Sequence, residues 1–283
     1  MTIKIAHLGP AGTNAEAAAF TYQEWLQSQQ QQDIELIPCQ SIAQSLYTWA
    51  QGEVDLAVVP IENSIQGSVA ISLDLVWELH PLSICHQIIL PIHHALISFA
   101  PEISLIKEVH SHPQALAQCQ RWLEKHIHHA PLIETKSTTE ILQHLEARPE
   151  IAAIASPRAA QLYQLPILAD TINDFQKNCT RFWVLSKTPQ SEGEVISLAF
   201  TLPAKIPGVL VNALEVFSRR NINLSRIESR PTKRSLGEYL FFVDLDGCLS
   251  DEAVKKALAE LQTHTEILKI FGNYRTIPQA ILA

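Results

Sequence analysis

Ile3-Lys4-Ile5-Ala6-His7-Leu8, then Gly9-Pro10-Ala11-Gly12-Thr13, then Asn14-Ala15-Glu16 form the opening stretch from which the fold is read. The first six residues have the apolar character of a strand. The glycine- and proline-bearing turn punctuates it, and Asn14–Gln27 reads as a helix. The pattern repeats outward. Ile34–Ile37 reads as a strand, Ser41–Gln51 as a helix and Val54–Val59 as a strand. It continues through Ile88–Phe99, helices after Ser111 and Ser137, the strand Ile151–Ala155 and a helix after Ser156. Such alternation marks βαβ units around a mainly parallel sheet. Thr13…Glu16, Ser41…Gln44, Ser111…Gln114 and Ser137…Glu140 have capping-box spacing, and Ser156-Pro157 is a cap followed by proline. The polar stretch Gln27–Gln32 reads as a helix end or solvated connection.

Near Lys187 the composition turns polar, and residues 188–194 read as a linker. Val195–Thr201, Gly208–Arg219, Ile222–Ser229, Tyr239–Leu245, Asp251–Gln262 and Ile267–Phe271 then follow in the order βαββαβ, which is ferredoxin-like.

The 283 residues suggest about two domains. Apolar residues make up 47% and charged residues 18%, an ordinary globular balance. Five cysteines without a CxxC pair argue against a disulfide framework and for a reducing, cytoplasmic setting. The N-terminus lacks the apolar core of a signal peptide, and no apolar run has the length of a membrane helix. The net charge of −8 argues against nucleic acid as a partner.

Four clusters could carry chemistry. The turn Gly9–Thr13 puts backbone amides at a helix N-terminus, a seat for a carboxylate, though it has neither P-loop nor GxGxxG form. In Val58-Val59-Pro60-Ile61-Glu62-Asn63-Ser64, a strand ends at proline and a polar cluster follows, where ligands of open α/β sheets bind. Ser111 and Gln118 lie seven residues apart, nearly two helical turns, and so share a face. In Asn178-Cys179-Thr180-Arg181-Phe182, the arginine could fork onto a carboxylate, a contact worth roughly 1.5–3 kcal/mol. Each has a plainer structural role: capping, a solvated glutamine, a surface ion pair. The twelve histidines lack HExxH spacing and companion cysteine pairs, so no metal site is expected.

Taken in order, Gly-Pro-x-Gly-Thr (9–13), Val-Pro-Ile-Glu-Asn-Ser (59–64), Ser-His-Pro-Gln (111–114) and Thr-Arg-Phe (180–182) resemble the catalytic portion of the prephenate dehydratases. Pro207-Gly208-Val209-Leu210 and Glu228-Ser229-Arg230-Pro231 resemble the phenylalanine-binding motifs of their ACT domain. The resemblance implies two α/β subdomains across a cleft, similar to periplasmic binding proteins, over residues 1–187. A ferredoxin-like ACT domain over 195–275 and a tail at 276–283 would follow. It further implies a homodimer or homotetramer, no cofactor, and no chorismate mutase domain fused ahead of the first strand. Asn63, Ser111, Gln118, Thr180 and Arg181 match positions of substrate binding or catalysis, with Gly12, Thr13, Glu62 and Ser64 as further substrate contacts. Gly208, Val209, Leu210, Asn223, Glu228, Ser229, Arg230 and Pro231 would hold the effector phenylalanine.

The reaction so implied expels carbon dioxide and water from prephenate and leaves phenylpyruvate. Thr180 would hydrogen-bond or relay a proton to the departing hydroxyl. Arg181 and the amides at Gly12–Thr13 would hold carboxylates, or Arg181 would act indirectly by shaping the site. Asn63, Ser111 and Gln118 would orient ring substituents. Two rival readings stand beside it: an arogenate dehydratase, and a non-enzymatic small-ligand-binding module.

Overall fold

The computed structural model describes residues 2–29, 32–79, 81–190, 192–204 and 206–277. Gln30 and Gln31 of the polar stretch, Ser191 of the expected linker and the tail beyond residue 277 lie outside these.

The chain builds a first lobe, crosses to a second, returns, and ends in a third unit. The first lobe holds β1 (Ile3–Leu8), α1 (Asn14–Gln29), β2 (Ile34–Cys39), α2 (Ile42–Gln51), β3 (Leu56–Asn63), β4 (Gly67–Ser68), α3 (Ala70–Glu78) and β5 (Ser83–Pro91). The second lobe holds β6 (Ala95–Ile97), β7 (Glu108–Ser111), α4 (Pro113–Gln118), α5 (Gln120–His126), β8 (Leu132–Glu134), β9 (Ile151–Ala155), α6 (Pro157–Leu162) and β10 (Ile167–Ala169). β11 (Cys179–Ser186) re-enters the first lobe. The C-terminal unit is β12 (Val195–Thr201), α7 (Val209–Ser218), β13 (Leu224–Pro231), β14 (Tyr239–Asp246), α8 (Glu252–His264) and β15 (Ile267–Thr276), the βαββαβ order read from the sequence.

One sheet runs through the first lobe and the C-terminal unit in the order β13-β14-β12-β15-β5-β11-β3-β1-β2, and the second lobe has its own, β10-β6-β9-β7-β8. Both are mixed rather than mainly parallel. β11 arrives from the second lobe and so runs antiparallel to β3 and β5, whereas β1 pairs in parallel with β2 and β3. The Ile88–Phe99 run breaks at the first crossing: its halves, β5 and β6, belong to different sheets. The two crossing segments are laced together, with Asn173 taking the His94 amide at 2.7 Å and donating to Ile92 O at 3.0 Å.

Three further expectations change on contact with the structure. β3 does not stop before Pro60 but runs on to Asn63. The register against β11 skips there, from Arg181↔Glu62 to Phe182↔Pro60, so a residue without an N–H is accommodated at a bulge. The segment after Ser137 is turns and one short 3-10 stretch, Leu142–His144, instead of a helix. There the Ser137 hydroxyl meets Thr139 Oγ1, and Glu140 takes the Lys136 amide, so local polar bonds compete with helix formation. Ser111 is no cap. It is the last residue of β7, its hydroxyl donates to Ile154 O at 2.6 Å, and His112 caps α4 in its place. Ser41 and Ser156 do cap their helices.

The C-terminal sheet buries its two faces differently. Ile196, Leu198, Phe200, Val243 and Leu245 pack under α7 and α8. Ala199, Phe242, Phe271 and Tyr274 share a core with Trp49, Leu73 and Trp183 of the first lobe. The seam is tight at Gly272, where φ is +152° and an added Cβ would lie 2.6 Å from Ile84 O. Gly272→Ala is therefore expected to destabilise the protein by about 1–3 kcal/mol, through strain and backbone displacement at the β15–β5 junction. Thermal melting checks this, and an unchanged Tm would argue against the seam.

Candidate active site

A cleft of about 640 Å³ lies between the two lobes. The first lobe offers it the turn after β1, the start of α1, and the facing ends of β3 and β11. The second lobe offers α4 and the segment 136–140. It thus sits beyond the carboxyl ends of β1 and β3, where an open α/β sheet leaves room for a ligand.

Asn63 and Thr180 are opposite each other in the β3–β11 register and both line the cleft. Asn63 Oδ1 accepts the amides of Ile65 and Gln66 at 3.0 and 3.1 Å, which fixes the orientation of its side chain. Its Nδ2 then faces Asn178 Oδ1 at 2.9 Å, Thr180 Oγ1 at 3.0 Å and Cys179 O at 3.2 Å. Asn178 Nδ2 donates to Gln118 Oε1 at 2.8 Å. His94 Nε2 stands 2.9 Å from the same oxygen. An amide oxygen only accepts, so His94 Nε2 carries a proton.

Burial lowers the His94 pKa, outweighing the Gln118 bond, so its neutral ring presents Nδ1 as an acceptor. Among the described residues that buried nitrogen has no partner. A hydrogen-bonded network thus links His94, Gln118, Asn178, Asn63 and Thr180, with His94 and Asn178 both donating to Gln118 Oε1 and Asn63 donating to Asn178 and Thr180, and it joins both lobes and both crossings. Its ends matter most. The Thr180 oxygen is already a hydrogen-bond acceptor from Asn63, which leaves its own proton to be donated elsewhere. Gln118 Nε2 donates to no group among the described residues, and Gln118 lines the cleft.

Other expected contacts lie elsewhere. Arg181 points away from the cleft: NH1 donates to Asp244 Oδ2 at 2.8 Å and Nε lies 3.8 Å from Glu62. Glu62 shares that opposite face, since alternate residues of a strand face opposite ways. Neither lines the cleft. Ser111 is fully buried and ties β7 to β9. Ser64 staples β3 to β11 by accepting the Cys179 amide at 3.0 Å. The Gly12 and Thr13 amides face Glu16 Oε2 at 3.3 Å and Pro10 O at 3.4 Å, so neither is free for a substrate carboxylate. Thr13 itself lines the cleft, and the start of α1 at Asn14 and Ala15 opens onto it.

The cleft also contains residues that were not among the expected substrate contacts: His94, His112, Lys136, Ser137, Thr138 and Glu140. Lys136 is the lysine or arginine that lines it, and among the described residues its ammonium makes no ion pair. Between the lobes, Arg158 of α6 forks onto Glu16 of α1, and Ser156 donates to Gly12 O at 3.1 Å. These bonds tie the two lobes to each other.

In the C-terminal unit, Gly208 caps α7 with φ +79°, and Val209 and Leu210 open the helix. The register Thr201↔Leu240↔Arg230 places Glu228–Pro231 at the same end of the sheet. Two of the expected effector contacts have partners of their own. Arg230 forks onto Asp74 of α3 at 3.1 Å through Nε and NH2, and Asn223 donates to Asp246. Burial raises the Asp74 carboxyl, but bonds to Arg230 and Lys233 outweigh it and hold the pKa below its ordinary value.

Residues 5–190 match the family profile for prephenate dehydratase, and residues 197–262 match the ACT domain. A bifunctional chorismate mutase/prephenate dehydratase of Aquifex aeolicus is 38% identical over 99% of this chain and 75% of its own length. A prephenate dehydratase of Lactococcus lactis subsp. lactis is 36% identical over 96% of this chain and 97% of its own. The crystal structure of an Arthrobacter aurescens prephenate dehydratase in complex with L-Phe superposes with a TM-score of 0.85. That protein is 34% identical, and the match covers 97% of this chain and 90% of that one.

Proposed function

We infer the reaction from one premise: the chain belongs to the prephenate dehydratase family. It is a carbon–oxygen lyase that turns prephenate into phenylpyruvate, carbon dioxide and water in phenylalanine biosynthesis. The proposed division is a catalytic region over residues 1–187, a linker at 188–194 and an ACT domain over 195–275. The enzyme works in the cytoplasm as a homodimer or homotetramer.

The observation that carries the reading is the Asn63–Thr180 bond. Decarboxylation pushes an electron pair into the ring, and the ring expels the hydroxyl to become aromatic. Hydroxide leaves poorly, so a donor must meet the departing oxygen. A threonine whose oxygen already accepts from Asn63 presents its proton outward, and Asn63 polarises it. Gln118 Nε2 supplies a second donor. Aromatisation supplies the driving force, so the chemistry calls for no cofactor.

The two substrate carboxylates need unequal treatment. A tight ion pair on the departing one would stabilise the ground state and slow the step. Ile92, Val69 and Phe182 offer an apolar wall suited to the ring and to that carboxylate. Lys136 and the amides at the start of α1 suit the carboxylate that is retained.

The C-terminal unit binds L-phenylalanine at the sheet end formed by Gly208–Leu210 and Glu228–Ser229. Arg230 serves there indirectly, by docking β13 on Asp74. The test is turnover of prephenate and arogenate, followed as phenylpyruvate and phenylalanine formation, with and without added L-phenylalanine. A higher kcat/KM for prephenate, and inhibition that excess substrate does not relieve, are expected. No turnover of either substrate would leave only a binding module. A preference for arogenate would reassign the substrate.

A further inference from the structure

The strand that carries Thr180 is held from behind by the C-terminal unit. On β11, Thr180 and Phe182 line the cleft, and Arg181 between them faces the other way. Behind it stands Asp244 of β14, 1% exposed, whose Oδ2 takes the Arg181 NH1 at 2.8 Å. Asp244 Oδ1 is fixed by the Ser197 hydroxyl, which also meets Tyr274 OH. The carboxylate is therefore an anchored point. Arg226 of β13 completes the group: its Nε lies 3.5 Å from Glu62 Oε2, and its NH2 donates to Ser68 at 3.0 Å.

The backbone at this place gives such an anchor something to control. The β3–β11 register slips between Arg181 and Phe182, where Ile61 of β3 is the extra residue, one pair along from Thr180↔Asn63. A bulge loosens the ladder and allows a side chain to be re-aimed. Thr180 is then set by two tethers, Asn63 within the cleft and Arg181 behind it.

We propose that Asp244 is a positioning residue for the dehydration: through Arg181 it fixes β11 at the bulge and aims the Thr180 hydroxyl into the cleft. The proposal rests on the reading of Thr180 as the donor to the leaving hydroxyl. It makes the C-terminal unit part of the working enzyme even when no effector is bound.

A kinetic cycle on the full chain tests it. Arg181→Met and Asp244→Asn are each expected to lower kcat about tenfold with KM nearly unchanged, because the effect falls on the transition state. In a Thr180→Ala background, Arg181→Met should change kcat by less than about twofold, since the group it positions is gone. Asp244→Asn added to Arg181→Met should likewise have little further effect. Arg181→Lys, which keeps the charge, should recover part of the loss, and it carries the same cycle should Arg181→Met fail to fold. An equal tenfold loss with and without Thr180 would overturn the proposal, as would wild-type kcat in Arg181→Met. Absence of prephenate turnover by the wild-type chain would instead remove the underlying function, a different and separable result.

Discussion

Thr180→Ala is expected to lower kcat by about 10²-fold or more while KM changes little, since a few kcal/mol of stabilisation is lost only as the hydroxyl departs. The substitution is structurally mild. Asn63 Nδ2 retains Asn178 Oδ1 and Cys179 O as acceptors, and its Oδ1 retains two backbone amides. No buried donor is stranded, so the melting temperature should hold. Thr180→Ser restores the hydroxyl and should recover most of the rate, whereas Thr180→Val keeps the shape and should not. Steady-state kinetics on the three variants decide. Near-normal kcat in the alanine variant would take Thr180 out of the mechanism.

Local pattern was enough to read what is locally determined. β1, β12 and β14 begin where apolar alternation begins, and Ser41 and Ser156 cap the helices that follow them. Pro60 misled because a proline normally ends pairing, and only the bulge at Ile61, where β3 has one residue more than β11, makes it tolerable inside β3. Arg181 misled differently. Reading Asn178–Phe182 as one cluster treats neighbours as companions, but a strand turns each residue away from the next. Once Thr180 faces the cleft, Arg181 must face away, and period-two alternation alone could have said so.

His94, Asn178 and Lys136 carried weaker signals. His94 stood among histidines weighed only as metal ligands, and Asn178 was a polar residue beside a more conspicuous threonine. Their roles depend on two chain crossings bringing residues 94, 118 and 178 into bonding distance. No spacing within one element encodes that meeting.

Lys136 is where charge reasoning leads furthest. Prephenate carries two carboxylates, and the arginine expected to meet one of them, Arg181, is engaged with Asp244 behind the sheet, while Arg158 is paired with Glu16. Lys136 stands at the cleft with its ammonium unpaired among the described residues. Glu140 also lines the cleft, but it accepts the Lys136 backbone amide at 2.7 Å, which engages that carboxylate locally. Lys136→Met is therefore expected to raise KM for prephenate about tenfold, the weight of one charge-assisted contact discounted for solvent screening at an exposed side chain. kcat should change far less, because the retained carboxylate keeps its charge throughout the reaction. Salt provides an independent readout. Added salt screens an exposed pair, so the wild-type KM should rise with ionic strength and that of Lys136→Met should stay nearly flat. Lys136→Arg should keep both the affinity and the salt dependence. If Lys136→Met binds prephenate as well as the wild type does, the amides at the start of α1 hold the retained carboxylate without it.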